Sequence, residues 1–295
     1  MTLQMDLPTL DDYPTRKSTE AALLYRRDPT VWGTAEEGPF TDSELQDHDR
    51  RGYTRLESLV GDAEVLDHRD ELDRLVRDPG LREDERALVD PADGGIRSVF
   101  EVHRVSEAFE ALVNDPRLVE RARQILGSEV YVHQSRVDHR PGFGGGPLYW
   151  RSDFETWHAE DGMPRMRAVG FSVALTDEHS HNGALMVMPG SHRTYVSCLE
   201  PAEEDGHERA GTPDRGALTI LAGRHGIDVL SAEAGDVTVF DSNCMYGAGA
   251  NITPFARSNL FVVYNSVENV CEKPFSAAEP RPGFLASRDF TPAGG

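Results

Sequence analysis

The chain has 295 residues, is 38% hydrophobic, and carries 51 acidic against 30 basic side chains for a formal charge of −21. So much negative charge repels nucleic acid and anionic membranes, which excludes both as partners. No apolar run reaches the roughly 18–20 residues that a bilayer span requires.

The opening "MTLQMDLPTLDDYPTRK" lacks the basic patch and apolar stretch of a signal peptide, so the expected compartment is the cytoplasm. Helix signals come next. "TDSELQDHDRRG" has Thr41 followed three residues later by Glu44, a capping-box pattern, and stops at Gly52. "GDAEVLDHRDELDRLVRDPG" places Val65, Leu72, Leu75 and Val76 on one face and ends at Asp78-Pro79-Gly80. "DPRLVERARQILG" has Asp115 as N-cap, Pro116 at the first helical position and Gly127 past the end. Its buried stripe is Leu118, Val119, Ala122, Ile125 and Leu126.

From Val130 the pattern changes to short strands. "VYVHQSRVDH", "MRAVGFSVAL", "ALMVMPGSH", "GDVTVFDSN" and "SNLFVVYNSV" are β-rich and bounded by Gly, Pro, Asn or Asp. The expected fold is therefore mainly β with flanking helices, one domain over 1–295. Residues 1–129 read as a mainly helical buttress, and 130–275 as a jelly-roll core, cupin-like. The stretch 201–224 is polar, punctuated by Gly and Pro, and reads as a loop or lid. The cysteines Cys198, Cys244 and Cys271 are sparse and unpaired, as in a reducing compartment.

The chemistry gathers around "YWRSDFETWHAEDGMP", where Arg151 precedes Asp153 by two residues. Jelly-roll oxygenases hold Fe(II) with two histidines and one carboxylate, leaving three positions for 2-oxoglutarate and dioxygen. An Arg or Lys on a later strand then takes the distal carboxylate of 2-oxoglutarate. Asp153, Tyr246 and Arg257 follow that order along the chain.

The segments "DDYPTRK", "YRRDPTVWG", "YVHQSR", "SDFETWHAEDGMPRMRA", "LTDEHSHNGALMVMPGSH", "PFARSNLFVVYNSVEN" and "FLASRDF" run through nearly the whole chain. In them the chain resembles the ectoine hydroxylase branch of the phytanoyl-CoA-dioxygenase-like Fe(II)/2-oxoglutarate oxygenases. The resemblance implies a double-stranded β-helix that hydroxylates a small zwitterionic cyclic amino-acid derivative. It implies substrate contacts at Gln134, Thr156, Trp157, Ser172, Phe240 and Asn259, a 2-oxoglutarate anchor at Arg257, and an iron carboxylate at Asp153. Where the family reads W-H-S-D and M-H-G, this chain has Trp150-Arg151-Ser152-Asp153 and Met245-Tyr246-Gly247. Where the family has Asn and Phe near the 2-oxoglutarate and substrate sites, it has Asp138 and Leu148.

A guanidinium has no lone pair for a metal and stays protonated. At about 4 Å and an effective dielectric near 20, each unit-charge pair is worth about 4 kcal/mol, so a dication beside Arg151 is repelled. Arg151 and Asp153, two apart on a strand, are expected to share a face and form an internal ion pair. His133, His139, His158, His179 and His181 read as structural or exposed rather than as substitute ligands.

The leading expectation is a diverged member without its iron triad or its hydroxylase activity, needing no cofactor. Its pocket would bind a small anion or zwitterion, with Arg151, Asp153 and Tyr246 as the reactive set. Two alternatives stand beside it. One is an active hydroxylase of ectoine or a relative that uses Fe(II) and 2-oxoglutarate through an atypical ligand set. The other is a metabolite-binding partner of an active paralogue. A homodimer is the expected assembly.

Overall fold

The computed structural model describes residues 11–91, 94–199 and 211–295. Helices form where caps and apolar spacing agree. Helix α1 (Asp42–Arg51) starts at Thr41, whose amide donates to the Glu44 carboxylate at 2.8 Å while its hydroxyl accepts from the Glu44 amide. It ends at Gly52, φ 79°, where a side chain would be strained and an added Cβ would lie 2.3 Å from the His192 ring. Helices α2 (Asp62–Arg77), α3 (Pro79–Arg82) and α4 (Glu107–Val113) follow. In α5 (Pro116–Leu126) the Asp115 carboxylate accepts from the Arg117 amide at 2.7 Å, and Gly127 closes the helix in a left-handed conformation.

The first strands are β1 (Leu23–Tyr25), β2 (Tyr53–Leu56), β3 (Ala87–Val89), β4 (Ile96–Phe100), β5 (Val130–Arg140) and β6 (Leu148–Arg151). After the short helix α6 (Asp153–Thr156) come β7 (Ala168–Ala174), β8 (Leu185–Val187) and β9 (Thr194–Val196). Helix α7 (Arg215–His225) precedes β10 (Asp228–Leu230), β11 (Val237–Asp241), β12 (Tyr246–Ala248) and β13 (Arg257–Ser266).

Two sheets face each other. The larger has the order β2-β11-β7-β13-β5-β4-β3, the smaller β10-β8-β12-β6, and every pairing within them is antiparallel. Alternation along each strand divides its side chains between two environments. Val137, Phe171, Val173, Val239, Leu260 and Val262 pack outward against α2, α4 and α5 in the main core. The other face looks toward the smaller sheet, with Phe240, Phe261 and Val263 in a second cluster alongside Leu185, Val187 and Tyr246. A cavity remains between the sheets.

The five strands expected from the sequence all form, although β8 is short. The first 129 residues are more mixed than a helical buttress. Their described residues contain five α-helices and also β1 to β4, with β2, β3 and β4 completing the larger sheet. The loop or lid expected at 201–224 is also corrected. Residues 200–210 lie outside the described residues, but 215–225 form α7. Asp214 caps it by accepting from the Gly216 and Ala217 amides, and Ala217, Leu218 and Leu221 are buried, so packing overrides Gly216 and Gly223.

Candidate active site

The inner face of β5 supplies one wall. Register sets Gln134 opposite Val263, Arg136 opposite Phe261, Asp138 opposite Asn259 and Arg140 opposite Arg257. On the other flank Ser98 faces Asp138 and Phe100 faces Arg136. The Arg136 guanidinium lies over the Phe261 ring at 4.1 Å and donates to Asp138 (3.0 Å) and to the Gln134 side-chain carbonyl (2.7 Å). Asp138 also accepts from the Ser98 hydroxyl at 2.6 Å. Burial pushes the Asp138 carboxyl up, but the Arg136 charge and these hydrogen bonds outweigh it and hold it below the usual carboxylate range. The Gln134 amide nitrogen donates to the Leu285 carbonyl at 2.7 Å, tying the wall to the C-terminal segment.

The opposite wall comes from β6, α6 and β12. Arg151 is the register partner of Tyr246 across the β6–β12 pairing. The chain turns at Ser152, so Asp153 is the first residue of α6 rather than a continuation of the strand. That turn removes the expected Arg151–Asp153 ion pair. Asp153 instead accepts a hydrogen bond from the Tyr246 phenol at 2.7 Å. Arg151 lines the cavity with a buried Nε that has no hydrogen-bond partner. Desolvation raises the Asp153 pKa, and the positive charge of Arg136, the Tyr246 hydrogen bond and the Arg151 charge only partly oppose it. Burial, together with the Asp153 charge, pushes the Tyr246 phenol well above 10.

These walls enclose about 480 Å³. Of the residues singled out from sequence, Gln134, Asp138, Leu148, Arg151, Asp153, Thr156, Trp157 and Tyr246 line it. The others lie deeper on the same sheet. Phe240 stacks on Phe261 with centroids 5.5 Å apart, and a Cβ at Gly170 would meet these rings at 3.0 and 3.2 Å. Asn259 donates to the Ser172 hydroxyl at 2.9 Å, and Arg257, itself buried, lies 3.1 Å from the Glu178 carboxylate. Sequence reasoning missed Arg136, Arg140 and Arg281, all in the lining. The period-two spacing of Gln134, Arg136, Asp138 and Arg140 carried the signal for the first two. Arg281 reaches the cavity from the C-terminal segment, and no local pattern announces it.

His158 and His139 are engaged elsewhere. His158 is bonded to the Met163 carbonyl at 2.8 Å and to Asp11 at 3.0 Å, and stacks on Phe275. His139 points to the outer face and meets the Ser258 hydroxyl at 3.1 Å. A metal at Asp153 would find one carboxylate, one protonated phenol, and the guanidinium groups of Arg136 and Arg151. Among the described residues no three His, Cys, Asp or Glu side chains come together as a metal site. The residues present do not fit the two-histidine, one-carboxylate set that holds Fe(II).

The sequence signature of the phytanoyl-CoA dioxygenase (PhyH) family matches residues 48–259. The chain belongs to this family. Within the PhyH family it is 52% identical to the ectoine dioxygenase of Streptomyces avermitilis over 289 residues, covering 96% of this chain and 98% of that protein. It is 51% identical to the ectoine dioxygenase of Streptomyces coelicolor, with 96% of each chain covered. EctD from S. alaskensis, solved with 2-oxoglutarate and 5-hydroxyectoine, superposes with a TM-score of 0.89 at 44% identity, covering 96% of each chain. The same protein with bound Fe gives a TM-score of 0.88 at 44% identity over 96% of each chain.

These likenesses correct two expectations from sequence. The reading of a diverged protein without hydroxylase activity is overturned by about half identity to ectoine dioxygenases along nearly the whole chain. The expectation of no cofactor is overturned by a relative of such similarity that holds Fe in one structure and 2-oxoglutarate in another. No helix among the described residues is long and apolar enough to cross a membrane.

Proposed function

We propose that the protein is a hydroxylase of ectoine or a closely related zwitterionic cyclic amino-acid derivative, working with Fe(II) and 2-oxoglutarate. The carrying observation is its likeness to ectoine dioxygenases, which extends over 96% of this chain and 98% of the Streptomyces avermitilis protein. The cavity supports the same substrate class. Its lining combines guanidinium groups, carboxylates and the Trp157 ring, a mixture suited to a small ligand bearing both charges.

In this reading Gln134, Leu148, Thr156, Trp157, Ser172, Phe240 and Asn259 shape the substrate side, while Arg257 and Asp138 serve 2-oxoglutarate. Arg257 must then share its charge between Glu178 and the co-substrate. The Tyr246 phenol donates its proton to a hydrogen bond at Asp153 Oδ1, and Arg151 places a positive charge beside them. Arg151 and Tyr246 stand where family members carry iron-binding histidines. Iron would therefore need a ligand set different from the family's, with Asp153 as its carboxylate. We also infer a homodimer in the cytoplasm, the assembly being open to light scattering.

Anaerobic loading with Fe(II), followed by ectoine, 2-oxoglutarate and air, tests the proposal. Succinate and a hydroxylated product forming together are expected by mass spectrometry. If neither rises above the protein-free control, the function is wrong.

A further inference from the structure

Behind the cavity wall runs a string of buried polar side chains that the proposed chemistry does not use. It begins at Arg281, which lines the cavity. The Arg281 fork closes on Asp161, with Nε donating at 2.8 Å and Nη2 at 2.5 Å. Glu160 lies farther off, at 3.7 Å. Two of the three guanidinium nitrogens are thus committed to one carboxylate, and Nη1 is left for a ligand.

Asp161 is fully buried, on the wide helical turn Trp157–Asp161 that continues α6. Its Oδ2 lies 3.6 Å from Nε2 of His133, an ion-pair distance longer than a hydrogen bond. His133 is also fully buried, and its Nδ1 lies 3.8 Å from the Cys271 sulfur. The Trp157 ring, part of the cavity lining, stands edge-on to the His133 ring at 5.2 Å. The groups facing His133 are therefore Asp161 and Trp157 from the turn, Cys271 from the segment after β13, and Tyr131 from its own strand. Arg281 faces it through Asp161.

A carboxylate with no exposure is costly unless it is paired, and this one has the Arg281 guanidinium on one side and the His133 imidazole on the other. We infer that Asp161 and His133 are positioning residues for Arg281, fixing its guanidinium at the cavity wall so that Nη1 meets an anionic group of the substrate. The inference rests on the zwitterionic substrate proposed above. An imidazolium behind Asp161 draws part of the carboxylate's charge away from Arg281. With His133 neutral, Asp161 pairs with Arg281 alone and leaves less of the positive charge to the ligand. Burial pulls His133 down, but Cys271 and Asp161 more than offset it and hold the imidazolium up to about 9. The device therefore operates at neutral pH and fades in alkali.

The experiment uses the full chain and ectoine as the probe, with binding followed by calorimetry in the absence of added metal. Asp161→Asn is expected to weaken ectoine roughly tenfold or more, the scale of a charge-assisted contact. Asp161 does not line the cavity, so a merely structural role would lower the melting temperature and leave affinity alone. A folded Asp161→Asn protein that binds ectoine within about twofold of wild type overturns the inference.

Should Asp161→Asn fail to fold, the alkaline series decides. Wild-type affinity is expected to fall roughly tenfold between about pH 8 and about pH 10, and His133→Gln to lose most of that fall. Ionisation of ectoine itself is common to both proteins. Equal slopes overturn the inference. If wild type binds no ectoine, the functional reading fails instead. The positioning role is then read from crystal structures of wild type and His133→Gln, where a displaced or disordered Arg281 in the variant supports it and an unchanged one overturns it.

Discussion

The phenol of Tyr246, on β12, donates to the Asp153 carboxylate at the start of α6 at 2.7 Å, joining the two elements within one wall of the cavity. It is the hydrogen bond that Asp153 accepts where an ion pair with Arg151 was expected. Tyr246→Phe removes it without opening a large void, since Phe240 and the rest of the second cluster still pack the ring. The variant is expected to lose about 1 kcal/mol of stability, the net value of one hydrogen bond. A urea midpoint unchanged from wild type would show that the contact contributes nothing.

Arg151→His combined with Tyr246→His tests the electrostatics of the site. The change removes one fixed positive charge and adds two imidazole donors on paired strands flanking Asp153. A cation near 4 Å repels a dication by something like 8 kcal/mol at an effective dielectric of about 20, and that repulsion disappears. The double variant is expected to retain more iron after anaerobic loading and desalting than wild type, as measured by metal content per chain. Equal retention would mean that side chains other than these two govern the metal.

Most of the framework was legible because local rules and burial agree there. Thr41 with Glu44, and Asp115-Pro116 with Gly127, mark their helices as the sequence implies. The alternation of β5 likewise marks both of its faces. Helix α7 was not legible, since its glycines and weak amphipathic pattern hide a helix held by Asp214 and three buried side chains. The site was legible in its residues more than in its contacts. Ser152 turns the chain between Arg151 and Asp153, and strand spacing alone cannot foresee that turn. Arg281 reaches Asp161 across 120 residues, a partnership that only the folded chain creates.

Acid should weaken the fold through two buried histidines away from the cavity. His48 meets the Thr54 hydroxyl at 3.1 Å, and His192 the Asp49 carbonyl at 3.0 Å. Burial pulls His48 down to about 4 and His192 to about 3, from 6.5 when unfolded. Because the folded values lie below the unfolded one, the unfolded chain takes up these protons first. Stability is held above pH 6.5 and lost as pH falls toward 4. By about pH 5 each group has cost about 2 kcal/mol. His133, raised to about 9, acts in the opposite sense and in a different window, losing its contribution as pH climbs from 6.5 through 9. Urea midpoints are therefore expected to drop between about pH 7 and about pH 5, and a flat profile would contradict the neutral buried pair.

The N-terminal segment holds α6 in place through one buried charge pair. Glu155, 1% exposed, accepts from the Thr15 hydroxyl at 2.6 Å and from Arg16 at 2.9 and 2.8 Å. Arg16 also reaches Glu160 at 2.6 Å, so one guanidinium clamps both ends of the segment that carries Thr156 and Trp157. Arg16→Met leaves Glu155 with a buried charge and a single hydroxyl for a partner. The loss is expected to be about 3–5 kcal/mol, the cost of stranding one member of a buried pair. The double variant Arg16→Met with Glu155→Met removes both charges and should recover much of that loss, because the penalty belongs to the unpaired carboxylate. Urea denaturation of the four proteins in the cycle measures the coupling. Additive losses would place the stability in side-chain packing and not in the ion pair.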